Sequence, residues 1–251
     1  MMGETLLYQT TADGLTIQVV ERNGRRKLRF GNSIIQSAIS ITNPSRLIIR
    51  YICNMMLGML LRPDARRILH IGLGAGTLPK FIHRHFPQTT QDVVECNAEV
   101  ADISRRFFGL PQDTRMRVYI AEGSEWIKNT SGQYDLVFLD AYVEDGAPDH
   151  LRQQDFLENL SLHVKENGWL VSNVWSGDGM FEEQAALWNR MFDHVLQAPQ
   201  TPIGNVILFG ARKPAVLNLQ RLSRHALILQ NRMPLDLKHL LESMVIVKQT
   251  S

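Results

Sequence analysis

The polar and apolar positions divide the chain into stretches of different period. Residues 5–41 alternate at period two. Thr16-Ile17-Gln18-Val19-Val20-Glu21 and Lys27-Leu28-Arg29-Phe30 read as half-buried strands, and Asn23-Gly24 between them is a two-residue hairpin turn. Gly31-Asn32-Ser33 marks a further turn before Ile34-Ile35-Gln36-Ser37-Ala38-Ile39. Asn43-Pro44-Ser45 is expected to open a helix running through Leu61, with its proline in the first turn.

From Arg67 onward short apolar runs alternate with amphipathic ones. The pattern predicts strands over 67–72, 91–95, 116–121, 134–140 and 168–175, and helices over 76–86, 97–109, 122–130 and 150–165. Crossovers of that length make the sheet mostly parallel. Phe181 to Phe192 is a further helix. His194 to Gln197 and Asn205 to Ala211 flank Pro199-Gln200-Thr201-Pro202-Ile203-Gly204 and read as an antiparallel hairpin at the sheet edge. Residues 214–251 carry a helical pattern (Leu217, Leu219, Leu222, then Leu235, Leu237, Leu240, Leu241) and are expected to form a packing tail. The expected organisation is a small N-terminal β domain over 1–42, a Rossmann-like α/β domain over 43–212 and a helical tail over 213–251.

Composition narrows this little. The chain has 251 residues, 44% apolar and 21% charged, which allows a sizeable core. A net charge of +2 demands no nucleic acid, and the basic run Arg22, Arg25, Arg26, Lys27, Arg29 reads as a solvated hairpin. Leu47 to Leu61, broken by Arg50, Asn54 and Gly58, is too short and polar for a membrane span. Met1 to Thr10 lacks a leader's apolar core. The two cysteines, Cys53 and Cys96, sit among apolar residues and read as buried free thiols, which suits a reducing cytoplasm.

Chemistry concentrates after Ile71. Gly72-Leu73-Gly74-Ala75-Gly76 lies between a strand and a helix, and Glu95 ends the next strand about 20 residues on. Glycines there let backbone approach a ligand, and the acid suits both hydroxyls of a ribose. The Gly-x-Gly-x-Gly spacing points to a single adenosine of the S-adenosylmethionine kind rather than to a dinucleotide. In an open parallel sheet the ligand lies beyond the carboxyl ends of the strands. Those ends add Glu122-Gly123, expected at an adenine, and Asp140, expected at the reacting end, where it could accept a proton from an attacking amine. For each acid the plainer reading is an N-cap beside a helix dipole. The acidic loop Glu144, Asp145, Asp149 suits a cationic substrate or is simply solvated. His150 at a helix start reads as surface, and His83-Arg84-His85 as helix-end histidines rather than metal ligands. No zinc spacing, nucleophile elbow or P-loop lysine is present in the sequence, and no metal is expected.

Together these residues resemble the spermidine/spermine synthase family, the polyamine aminopropyltransferases. The resemblance runs from about residue 5 to 212. It rests on Ile35-Gln36, Ile71 to Gly76, Val93-Val94-Glu95, Phe107-Phe108-Gly109-Leu110-Pro111, Ala121-Glu122-Gly123, and Tyr134-Asp135-Leu136-Val137-Phe138-Leu139-Asp140. It implies a methyltransferase-type Rossmann-like sheet behind an N-terminal β domain, and assembly as a homodimer or homotetramer. It also implies transfer of an aminopropyl group from decarboxylated S-adenosylmethionine to a small amine. Glu95 then holds ribose, Glu122 stands for an adenine-contacting Asp, Gln36 lies near the donor, and Asp140 is the catalytic acid. Gly72, Gly74, Gly76 and Gly123 line the donor; Tyr142 and Asp145 lie at the acceptor end.

Four positions depart from the family pattern, one of them Asn97 in place of a common Asp after the ribose acid. Ala75 replaces an Asp that contacts the donor's ammonium, the second Asp after Asp140 is absent, and no Tyr-Gln pair is evident around Leu47 to Tyr51. A carboxylate at position 75 would repel the carboxylate of ordinary S-adenosylmethionine by about 4 kcal/mol at ~4 Å and an effective dielectric near ~20. Its loss leaves a methyltransferase, or a non-catalytic binding protein, as alternatives.

Overall fold

A computed structural model describes residues 3–31, 34–142, 148–213, 217–231 and 233–249, without the side chains of 34–36 and 178. The expected turn at Asn32-Ser33, the acidic loop at Glu144 and Asp145, and the Gln36 side chain therefore lie outside the described residues.

The N-terminal strands β1 (Thr5–Ala12), β2 (Leu15–Arg22), β3 (Arg25–Phe30) and β4 (Ile34–Ser40) form an antiparallel sheet in that order. Asn23 (φ 52°) and Gly24 (φ 71°) take the left-handed conformation of a two-residue hairpin. Asp13 (φ 51°) and Gly14 (φ 77°) make the same turn, a signal of equal strength. The alternation of β2 and β3 turns Ile17, Val19, Leu28 and Phe30 inward, where they pack with Ala75, Val100, Ile103 and Phe108 of the larger unit. The outer basic side chains are partly paired, Arg26 with Glu21 at 2.6 Å and Arg29 with Glu4 at 2.6 Å.

The larger unit holds an eight-stranded sheet. Its parallel part runs β9 (Val164–Trp175), β8 (Tyr134–Leu139), β5 (Arg67–Ile71), β6 (Thr90–Glu95), β7 (Met116–Ile120). Beyond β9 come β11 (Asn205–Ala211), β10 (His194–Gln197) and β12 (Val245–Gln249), each antiparallel to its neighbour. Every residue of β8 is buried, which explains why it reads as one unbroken apolar run. Helices α1 (Arg50–Met55), α2 (Leu57–Leu61), α3 (Thr77–His85), α8 (Leu219–Gln230) and α9 (Leu237–Glu242) cover one face. Helices α5 (Gly123–Asn129), α6 (Gln154–Leu162) and α7 (Phe181–Met191) cover the other. Helix α4 (Ala98–Phe108) fills the seam to the small sheet. No described helix is long and apolar enough to cross a membrane.

Four expectations need correction. The single helix from Asn43 to Leu61 starts only at Arg50: Asn43 to Arg46 is spent on one turn closed by Arg46 N–H donating to the Asn43 carbonyl (3.0 Å), and Ile49 is extended (φ −99°, ψ 123°). The helix over 150–165 is a short 3-10 turn, Asp149–Leu151, followed by α6, and Val164 already pairs with Tyr134 in the sheet. The tail contains its two helices but ends in β12, whose Val245-Ile246-Val247 adds a strand beyond the expected hairpin. Cys96 is exposed and Cys53 half-buried, because Cys96 follows β6 on the open rim rather than lying within the strand.

Candidate functional site

The neighbours β5 and β8 are where strand order reverses, the place at which ligands of open α/β sheets bind. Gly72 leaves β5 with φ +95°, and a Cβ on it would stand 2.3 Å from the Asp140 carbonyl oxygen. Only glycine lets the two loops touch. Backbone bonds lock the meeting point: Asp140 N–H donates to the Ile71 carbonyl (2.9 Å) and Gly72 N–H to that of Val94 (2.8 Å). Gly76 is the N-cap of α3. The Ser104 hydroxyl donates to the Gly74 carbonyl (2.5 Å), and Ser37 of the small sheet shares a hydrogen bond with Thr77 (2.9 Å). The glycine turn is thus braced from both units.

Glu95 at the end of β6 is 8% exposed. Its carboxylate accepts from Leu73 N–H and Asn97 N–H, both at 3.0 Å. Burial raises its pKa, against those backbone donors, which favour the charged form. It therefore lies against the glycine turn. Glu122 is the N-cap of α5, accepting from Ser124 N–H (2.6 Å), the Ser124 hydroxyl and Glu125 N–H (3.2 Å), while its other oxygen faces His150 Nε2 at 2.7 Å. Burial would raise its pKa, but Ser124, His150 and the two amides together hold it below the usual range. Its carboxylate is thus engaged on both sides, with Gly123 buried behind it.

Asp140 accepts from Asn173 Nδ2 (2.9 Å) and from the Tyr51 hydroxyl. Burial pushes its carboxyl up, and these two donors pull the other way without cancelling the rise. Burial, and then the adjoining Asp140 charge, push the Tyr51 phenol well above its ordinary range, so it stays a donor. Tyr142 donates to the Asn173 carbonyl (2.9 Å). The structure thus brings Gly72, Glu95, Asp140 and Tyr142 to one rim, with Glu122 at its flank.

Two residues at this site were missed in the sequence. Tyr51 stands where no family tyrosine was evident; a hydroxyl inside the apolar run Leu47–Leu61 was its signal, since a buried phenol needs a partner. Asn173 follows from the rim rule applied to one strand more, as Ser172-Asn173 interrupts the apolar run Trp169 to Trp175 that ends β9. Ala75 is placed differently from expectation. It is 1% exposed and packs against Ile17, Val19 and Leu28 of the small sheet, because the turn directs it into the seam between units. His83 pairs with Asp113 (2.9 Å) at a helix end, and the described residues contain no cluster fit to hold a metal.

This strand order, with the glycine turn and acids at its switch point, defines an α/β protein of the S-adenosylmethionine-dependent methyltransferase type. Within that class the chain belongs to the spermine/spermidine synthase family, whose domain matches residues 51–195. It is similar to the polyamine aminopropyltransferase of Chromobacterium violaceum, 28% identical over 223 residues, which span 88% of this chain and 85% of the relative. A probable spermidine synthase from Corynebacterium glutamicum superposes with a TM-score of 0.75 at 20% identity, over 88% of this chain and 86% of that one. Human methyltransferase-like protein 13, solved in complex with SAH, gives 0.67 at 24% identity, over 73% and 92%.

Proposed function

We propose that the protein is an aminopropyltransferase that moves the aminopropyl group of decarboxylated S-adenosylmethionine to a polyamine-type amine. One observation carries the reading: a carboxylate, Asp140, held by Tyr51 and Asn173 at the switch point, in backbone contact with the glycine turn. An amine nucleophile is protonated near neutral pH, and Asp140 would bind that cation and accept its proton. The donor, when bound, supplies an electrophilic carbon beside a sulfonium. Glu95 would take the ribose hydroxyls and Gly72, Gly74 and Gly76 would shape the turn around the nucleoside. Glu122 would contribute to adenine recognition by giving up its His150 partner, with the Gly123 amide beside it. Tyr142, Gln36 and Asp145 complete the proposed binding set, Asp145 as the acceptor contact that the resemblance implies. The resemblance also implies a homodimer or homotetramer.

A second reading, methyl transfer from ordinary S-adenosylmethionine, is favoured by the absence of any acidic residue from the turn Gly72 to Gly76, which leaves nothing there to repel the carboxylate of that donor. The test is direct. Purified protein is given each donor with a panel of diamines, and the nucleoside product is identified. Methylthioadenosine release lost in Asp140→Asn supports aminopropyl transfer; S-adenosylhomocysteine, or no product, refutes it.

A further inference from the structure

The carboxylate of Asp140 is the end of a buried polar chain that the antiparallel hairpin feeds into the parallel sheet. Asn173 Nδ2 donates to Asp140 Oδ1 (2.9 Å), and Asn205 Nδ2 donates to Asn173 Oδ1 (3.0 Å). The Thr201 hydroxyl donates to Asn205 Oδ1 (3.4 Å) while accepting from Asn205 N–H (3.0 Å). Asn173, Asn205 and Thr201 are 6%, 9% and 4% exposed, so their side chains are largely withdrawn from solvent. The direction of the chain follows from its last member. An ionised carboxylate only accepts, so Asn173 must face it with its NH2 group. That leaves the Asn173 amide oxygen toward Asn205, which must answer with its own NH2, and the Asn205 oxygen then takes the Thr201 hydroxyl. Each amide has one orientation consistent with all its partners. Reversing any of them would set oxygen against oxygen in a site with little water to screen the pair.

We infer that Asn173 and Asn205 are positioning residues for the reacting end of the site: the one-way chain from Thr201 locks the Asn173 amide so that it always donates to Asp140. This rests on the proposed role of Asp140. It also accounts for a feature of the fold. Asn205 and Thr201 belong to the hairpin beyond β9, remote in sequence from the glycine turn, and their buried side chains serve no apolar core. Among the described residues the titratable group facing Asp140 is Tyr51 from α1, with Tyr142 close to Tyr51; no charged group stands between Asn205 and Asp140 in the hydrogen-bonded chain.

The experiment follows the Asp140 carboxyl by carbon-13 NMR titration, with the resonance identified by its loss in Asp140→Asn. Asn173→Leu removes the direct donor and should raise the titration midpoint by about one pH unit, as expected for losing a hydrogen bond to a charged acceptor. Asn205→Leu, which touches neither Asp140 nor its other partners, should move it in the same direction by a smaller amount. Thr201→Val, a milder change for use if Asn205→Leu fails to fold, should do likewise. On the Asn173→Leu background, Asn205→Leu should add nothing, because its influence passes through that amide. An unchanged midpoint in folded Asn205→Leu or Thr201→Val overturns the inference, and so does an Asn205→Leu effect of equal size on both backgrounds. Turnover is measured separately. A wild-type protein with no aminopropyl transfer refutes the proposed activity while the titration still decides the chain.

Discussion

Histidine 70 gives the sharpest quantitative test of how the site is supported. It lies on β5, the strand that ends in the glycine turn, and stacks on Phe138 of β8, the strand that ends in Asp140, with ring centroids 5.2 Å apart. It is 2% exposed. Gln91 donates its amide to the Pro79 carbonyl, so its oxygen faces His70 Nε2 at 2.9 Å and the neutral imidazole donates. Burial pushes the His70 pKa down to about 4 from 6.5, partly offset by Gln91. A group whose pKa is lowered by folding contributes stability above its unfolded value, and that stability is lost as pH falls toward the folded one. A gap of about 2.5 pH units corresponds to roughly 3.4 kcal/mol in all, of which about 2 kcal/mol accrues between pH 7 and pH 5. The perturbation is His70→Gln, which keeps a donor for Gln91 and cannot titrate. Urea unfolding of both proteins at pH 7 and pH 5 should show the wild type losing about 2 kcal/mol more than the variant. Parallel losses would mean that His70 charges freely in the folded protein, which its burial between two strands does not allow.

Gly72→Ala should lower the melting temperature sharply and abolish donor binding, because the new Cβ would stand 2.3 Å from the Asp140 carbonyl at a φ of +95°. Thermal melting with and without nucleoside checks it, and an unperturbed melt would refute the contact. Ala75→Asp should not restore a donor-selecting carboxylate: it would bury an unpaired charge among Ile17, Val19 and Leu28 and destabilise the protein by several kcal/mol. A variant of native stability with new selectivity for decarboxylated donor would show that position 75 faces the ligand. Asp140→Asn should melt above the wild type at pH 7. The raised folded pKa makes the Asp140 charge a cost that appears above 3.8 and is complete above its folded value, so the gap should close in acid. A lower melting point at pH 7 would refute that sign.

Elements whose residues dictate their own periodicity were legible before any coordinates. The alternation of β2 and β3, the Asn23-Gly24 turn and the buried run of β8 are local statements about which faces meet water. The glycine turn with Glu95 and Asp140 was legible too, since the ends of parallel strands are positions that sequence order specifies. Elements chosen by their surroundings were not. The β-branched run Val245-Ile246-Val247 becomes a strand because β10 offers an unpaired edge, and nothing near it in sequence says so. Asn43 to Ile49 carries helix-start residues but joins β4 of the small sheet to α1 of the larger unit, and where those two ends sit is a tertiary quantity.

The same division holds at the site. By itself the sequence determined that this is a parallel-sheet protein with a glycine turn and carboxylates at its strand ends, because strand periodicity and glycine chemistry act over a few residues. Only the tertiary structure decided that Tyr51 and Asn173 converge on Asp140 with Asn205 behind Asn173, that Glu122 caps a helix and meets His150, and that Ala75 turns into the seam. Those outcomes depend on which distant segments share a rim, and on which buried polar atoms must then satisfy one another.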